Sequence, residues 1–290
     1  MADPIGANAA SDMWQVSADG ETALHPFPHA PYPHPSRAAG HTYDGKFFDA
    51  AGHYSDSTVG IFIPAGFKAD AKSVDFIVHF HGWSNNVSKV LDRYKMRQQV
   101  EASGVNAVLV VPQGPKDAQD SGDGKLELEP DAFAALLHEV AQFLYEQKKT
   151  RSTQIGRIVI SAHSGGYKGA SHVLQIGGLS DHVSEVLLFD AAYGDLAGFS
   201  GWQAAAPRRR VISLFTDDTA SGNVELMSLI QKDGSALRIA MESELSDALL
   251  AGGMPLFIYT PELAHDETMQ GRGYYARFLQ WSSLAKRQQK

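Results

Sequence analysis

Seven short apolar runs leave this chain few folds to choose from. They are VGIFIP (59–64), VDFIVHF (74–80), AVLVVP (107–112), RIVISA (157–162), SEVLLF (184–189), RVISLF (210–215) and PLFIYT (255–260). They are rich in β-branched residues and bounded by Gly, Pro or charge, as strands buried on both faces are. FFDAAGHY is expected to add an edge strand before them. Between the runs lie helical periods. In DAFAALLHEVAQFLYEQK the side chains of Phe133, Leu136, Leu137, Val140, Phe143 and Leu144 form one apolar stripe. Pro130 suits the first turn of that helix. The segments 223–232, 242–251 and 274–286 read as further helices. Strands alternating with helices predict an α/β fold, with a mostly parallel central sheet and helices on both faces. Ligands of such sheets bind beyond the carboxyl ends of the strands. Chemistry is therefore expected in the residues that follow each run.

Residues 1–44 read differently. HPFPHAPYPHPSR holds five prolines and three histidines, and closely spaced prolines fix φ and remove donors. An extended Pro/His-rich arm is expected over 1–44, and one domain over 45–290. His25, His29 and His34 raise the thought of a metal, but arm residues packing across the domain are the simpler account. Hydrophobic residues make up 43% of the chain, enough for a sizeable core. The net charge of -8 argues against nucleic acid and anionic membranes as partners. Arg208, Arg209 and Arg210 read as a solvated loop. The absence of cysteine excludes disulfides, Cys-based zinc sites and a thiol nucleophile. No run approaches the ~18 apolar residues that span a bilayer. MADPIGANAASDMW has no basic start followed by an apolar run, so no signal peptide is expected in the sequence as given. The compartment and the oligomeric state stay open.

Three segments carry chemistry. In RIVISAHSGGYKG an apolar strand runs into Ala162-His163-Ser164-Gly165-Gly166, and a helix-compatible stretch follows. This is a variant of the nucleophile elbow G-x-S-x-G, with Ala162 in place of the first glycine. The turn is tight, so the neighbours must be small, and the helix that follows aims its amides at an oxyanion. In VDFIVHFHGWSNN a strand ends in His81-Gly82-Trp83. Gly82 lets the loop turn, and the Trp83 amide is placed to join that of Gly165 as an oxyanion donor. His79 and His81 read as structural. In PLFIYTPELAHDE the last run is followed by His265, a base that a serine hydroxyl requires. His163 is too close in sequence to serve, and His172 and His182 read as surface residues.

The acid has two candidates. Asp217 follows RVISLF, and Asp218 beside it is a weaker third. Asp190 follows SEVLLF and is flanked by Leu-Leu-Phe and Ala-Ala-Tyr. A carboxylate buried there needs a partner, which a catalytic His would supply. Asp217 sits among Thr and Asp, as in a solvated turn. The local surroundings favour Asp190, with Asp217 as the alternative. The segment DLAGFSGWQAAAP is long enough to wall a pocket, with Phe199 and Trp202 as candidate substrate contacts and Leu196 beside them; all three read equally well as core. Asp117, Asp120 and Asp123 lack the spacing of an EF-hand loop, so their loop reads as a solvated rim.

The elbow AHSGG, the HGW loop and the late His265 together resemble the α/β-hydrolase superfamily, over roughly residues 55–285. The resemblance implies a mostly parallel sheet of about eight strands. It implies Ser164 as nucleophile, His265 as base, and Gly165 with Trp83 as oxyanion donors. Members place the acid after either of two strands, so that choice stays open. The expected activity is a serine hydrolase of the carboxylesterase kind, acting on a small-molecule ester through an acyl-enzyme, with no metal or organic cofactor. A peptidase or amidase would need the same triad. A catalytically silent hydrolase fold used for binding would be expected to lack Ser, His or an oxyanion glycine. A dinucleotide-binding fold would need G-x-G-x-x-G after the first strand, where VGIFIPAGFKAD has one glycine in the turn.

Overall fold

The computed structural model of the protein describes residues 13–287. Among the described residues twelve strands run in chain order: β1 Trp14–Val16, β2 Gly20–Pro26, β3 His41–Tyr43, β4 Lys46–Phe48, β5 Thr58–Pro64, β6 Val74–Phe80, β7 Ala107–Pro112, β8 Ile155–His163, β9 Val183–Phe189, β10 Arg210–Phe215, β11 Arg238–Met241 and β12 Leu256–Tyr259. Ten of them form one sheet in the order β1-β2-β5-β7-β6-β8-β9-β10-β12-β11. From β7 to β11 every neighbour is parallel. The side made of β5, β2 and β1 is antiparallel. All seven apolar runs are strands of this sheet. Every residue of β6, β7 and β10 is buried. Both faces of these strands are covered, so no polar alternation breaks their sequence.

Two apolar layers cover the sheet. One face packs against helices Ala132–Glu146, Tyr167–Ile176, Leu196–Ala204 and Ala220–Lys232. The other packs against Val87–Arg93, Met96–Ala102 and Tyr274–Gln280. Among the described residues no helix is long and apolar enough to cross a membrane. The helix expected around Pro130 begins at Ala132, after Asp131 in left-handed geometry, so the proline lies before its first turn. The 242–251 segment splits at Leu245 into a short 3-10 turn and helix Asp247–Ala251. The last helix stops at Gln280.

The N-terminal segment departs from the expected arm. Within 1–44, residues 14–26 supply two strands of the main sheet. β2 pairs with β5 from Gly20↔Pro64 to Pro26↔Thr58. Pro26 ends the strand, where its missing N–H breaks no ladder. Trp14 and His25 stack on Phe143, with ring centroids 5.9 and 4.5 Å away. His29 Nδ1 pairs with Glu139 at 2.6 Å, and His34 accepts from the Ser36 amide at 3.3 Å. The boundary at 44/45 therefore separates no arm from the sheet, and the strand count rises above eight. FFDAAGHY gives no edge strand to that sheet. β4 pairs with β3 in a separate hairpin, and a helical turn Ala50–His53 follows.

The Arg208–Arg210 run is also not a solvated loop throughout. Arg209 and Arg210 are buried. Arg210 Nη2 donates to Glu185 at 2.9 Å, and both side chains are almost fully covered. Removing one partner of a buried pair leaves a charge uncompensated. Glu185→Ala is therefore expected to cost about 3–5 kcal/mol of stability, read as a fall in urea midpoint at unchanged slope. A midpoint within error of the parent would show that Arg210 finds water or another acceptor.

Candidate active site

The parallel strands bring the candidate residues to one end of the sheet. β8 is central, with β6 on one side and β9 on the other. The register pairs Phe80 with Ala162 and His163 with Phe189. Ser164 thus leaves the sheet beside His81-Gly82-Trp83 and beside Asp190. His265 follows β12, two strands beyond β9.

Ser164 sits at φ +54°, a region that costs a side chain of this kind free energy. It opens a 3-10 turn, Ser164–Gly166, that runs into helix Tyr167–Ile176. The small neighbours have a steric cause. A Cβ on Gly166 would fall 2.2 Å from the Phe80 carbonyl oxygen, and one on Gly82 would fall 2.6 Å from the Ser164 Cβ. The Trp83 ring lies against Gly165, where a Cβ would stand 2.5 Å from its Cδ1.

The HGW loop is held by hydrogen bonds. His81 Nε2 accepts from the Gly114 amide at 3.1 Å, which leaves Nδ1–H to donate to the Gly82 carbonyl at 2.9 Å. Burial holds the His81 pKa down, so its neutral form does this tying. His79 is fully buried against Ser161 at 2.9 Å. Both histidines act on the scaffold. Trp83 Nε1 donates to Ser121 Oγ at 2.8 Å. Ser121 lies in the loop expected to be a solvated rim, and that loop is instead tied down. Asp120 and Asp123 pair with Arg37 at 2.7 and 2.9 Å, and Asp117 pairs with Lys89 at 2.7 Å.

Asp190 is fully buried. Its Oδ2 accepts from His265 Nδ1 at 2.7 Å and from Thr216 Oγ1 at 2.7 Å. Its Oδ1 accepts from the Thr216 amide at 3.0 Å and from Thr219 Oγ1 at 2.5 Å. Burial raises its pKa, but these four donors outweigh burial and hold it below the usual carboxylate value. The reverse acts on His265. Burial lowers its pKa, and the hydrogen bond and charge of Asp190 lift it above the ordinary imidazole value. Asp217 takes no part in the pair. It is exposed and accepts from Tyr259 Oη at 2.6 Å. Asp218 comes to 4.0 Å of His265 Nδ1 from an exposed position. The turn that looked like a home for the acid instead supplies threonines to Asp190.

The side chain of His163, too close in sequence to Ser164 to serve as its base, faces inward. It is buried, with its ring tilted against His265 at 4.7 Å between centroids. Its Nε2 lies 3.3 Å from the His265 carbonyl oxygen and its Nδ1 3.3 Å from Tyr94 Oη. Burial and the nearby His265 charge push its pKa down to about 4. A neutral ring thus backs the loop that presents His265, a role that position in sequence did not suggest. Thr268 Oγ1 holds the same carbonyl at 2.8 Å. Among the described residues no hydrogen bond joins Ser164 to His265; such contacts often tighten only once substrate is bound.

Phe199 and Trp202 do not wall the site. Both are buried in the apolar layer under helix Leu196–Ala204, and Trp202 Nε1 lies 3.4 Å from the Ser180 carbonyl oxygen. Leu196 belongs to the same layer. His172 and His182 bind backbone carbonyls of Glu127 and Gly156.

No protein-family model matches this sequence, and no curated protein matches it. Solved structures do. The feruloyl esterase module from Clostridium thermocellum complexed with sinapinate is 12% identical over 92% of this chain and 95% of that one, at a TM-score of 0.53. An S-formylglutathione hydrolase from Agrobacterium tumefaciens is 10% identical over 92% and 98%, at 0.48. Brefeldin A esterase, described as a bacterial homologue of human hormone sensitive lipase, is 11% identical over 95% and 76%, also at 0.48. At such identities the likeness is one of architecture, and it agrees with the strand order and parallel core: this chain has the α/β-hydrolase fold.

Proposed function

We propose that the protein is a serine hydrolase that cleaves a carboxylic ester through an acyl-enzyme on Ser164. The observation that carries the reading is the Asp190 Oδ2–His265 Nδ1 hydrogen bond of 2.7 Å at the strand end where Ser164 stands at φ +54°. With Nδ1–H donated to Asp190, His265 Nε2 is left to accept the Ser164 proton. Ser164 Oγ attacks the acyl carbon. The Trp83 and Gly165 amides take the oxyanion. The protonated His265, stabilised by the buried Asp190 carboxylate, gives its proton to the departing alcohol. Water then repeats the sequence on the acyl-enzyme, with His265 again as base. The fold likeness to an esterase module agrees with this chemistry.

The test is a fluorophosphonate probe followed by peptide mapping. The adduct is expected on Ser164, at a rate that rises with pH as His265 loses its proton. Labelling elsewhere, or none on folded protein, would overturn the reading.

A further inference from the structure

Aromatic rings gather beside Gly165 and His265. Tyr43 meets the Trp83 ring edge to face, with centroids 4.7 Å apart and planes at 67°. Tyr193 stands edge to face against His265, at 6.3 Å and 71°. Tyr167, in the first turn of the helix after the nucleophile, lies 6.2 Å from Tyr193. The Trp83 ring lies against Gly165, the residue after Ser164, and His265 is the proposed base, so both ring pairs adjoin residues of the proposed site. Tyr43 and Tyr193 are 40% and 48% exposed, as expected of rings held along one edge with a face open.

The Tyr43 wall is built, not incidental. Tyr43 ends β3, and the hairpin is pinned by Phe48 on β4, which is buried with Tyr32, Tyr54 and Ala118. Lys46 Nζ sits 4.7 Å over the Phe48 ring. Ala118 belongs to the same loop as Ser121, which holds Trp83. The N-terminal segment and the oxyanion loop are therefore fixed to one another. Of the exposed aliphatic side chains, Val16, Leu24, Ile239 and Met241 lie on β1, β2 and β11, and Leu128 and Val224 lie on helices.

We infer that the ester taken by this site carries a planar aromatic ring beside its carbonyl group, seated between the Tyr43–Trp83 and Tyr167–Tyr193 pairs. Aromatic rings gain from offset or edge-to-face contact beyond the area they bury, and tyrosine walls lose little side-chain freedom on contact. The inference rests on the serine hydrolase reading above.

The experiment compares kcat/KM within two matched pairs, each corrected for alkaline hydrolysis rates. Methyl 3-phenylpropanoate against methyl hexanoate tests a ring on the acyl side, and benzyl acetate against hexyl acetate tests one on the alcohol side. At least one aryl ester is expected to be favoured about tenfold, within the range that apolar pockets discriminate. That ratio should fall about five- to tenfold in both Tyr43→Leu and Tyr193→Leu. Equal rates within both pairs, or a ratio unmoved in both variants, would overturn the inference while leaving ester hydrolysis intact. If no ester is turned over and Ser164 takes no probe, the hydrolase reading fails by itself. Calorimetric binding of 3-phenylpropanoate against hexanoate then judges the site alone. Preference for the aryl acid would support the walls, and equal or absent binding would overturn them.

Discussion

Ser164→Ala is expected to lower kcat for ester hydrolysis by about 10⁶ while leaving substrate affinity nearly unchanged. The residual rate should come from the Trp83 and Gly165 amides and from binding, which in such enzymes leave about 10³–10⁴ over water. Ser164→Gly should be just as inactive but should differ in stability. Ser164 holds φ +54°, where glycine meets no Cβ penalty and alanine still does. The glycine variant is expected to be more stable than the alanine variant by about 1 kcal/mol, read from urea midpoints. Hydrolysis by either variant at a tenth of the parent rate or more would remove Ser164 from the chemistry. Equal stability of the two would mean that the elbow relaxes once the hydroxyl is gone.

The parts of this site that were legible in sequence are those fixed by local sterics and by strand order. Seven β-branched runs mark seven strands because each is covered on both faces and tolerates no polar alternation. Ala162-His163-Ser164-Gly165-Gly166 marks a tight strand-to-helix turn because Phe80 and Trp83 crowd it from a neighbouring strand end. A carboxylate among Leu, Phe and Ala needs donors, which favours Asp190 over Asp217 from sequence alone, and four donors surround it. What was not legible depends on long-range pairing. β2 hides beside a proline-dense run, because Pro26 falls at its last position and its partner β5 is remote in sequence. Phe199 and Trp202 follow the strand that carries Asp190, but nothing local says which way their helix turns them. They face the core. Tyr43 and Tyr193 lie on segments read as an arm and a loop, and only the tertiary fold sets them beside Trp83 and His265.

Asp190→Asn is expected to lower kcat by about 10⁴, whereas Asp217→Asn should stay within a few-fold of the parent. An amide at position 190 still meets Thr216 and Thr219, so the fold should survive. What is lost is the charge that fixes the His265 tautomer and stabilises its cation. The pH profile separates these effects. His265 must be neutral to take the Ser164 proton, so activity rises with pH through its pKa, which Asp190 lifts above the usual 6.5. In Asp190→Asn the largest lifting influence goes and burial remains, so the acid limb of kcat/KM should move to lower pH. Stability gives a second sign. The Asp190 pKa in the folded state lies below its ordinary value of 3.8. Its contribution is therefore fully present above that value and is lost as pH falls through the folded-state value. The parent should lose stability on acidification below about pH 4 more steeply than Asp190→Asn, whose amide does not titrate. Equal, small losses of kcat in both Asn variants would dismiss Asp190 as the acid. An unmoved acid limb in Asp190→Asn would show that another group sets the His265 pKa, with Asp218, 4.0 Å from Nδ1, the first to test.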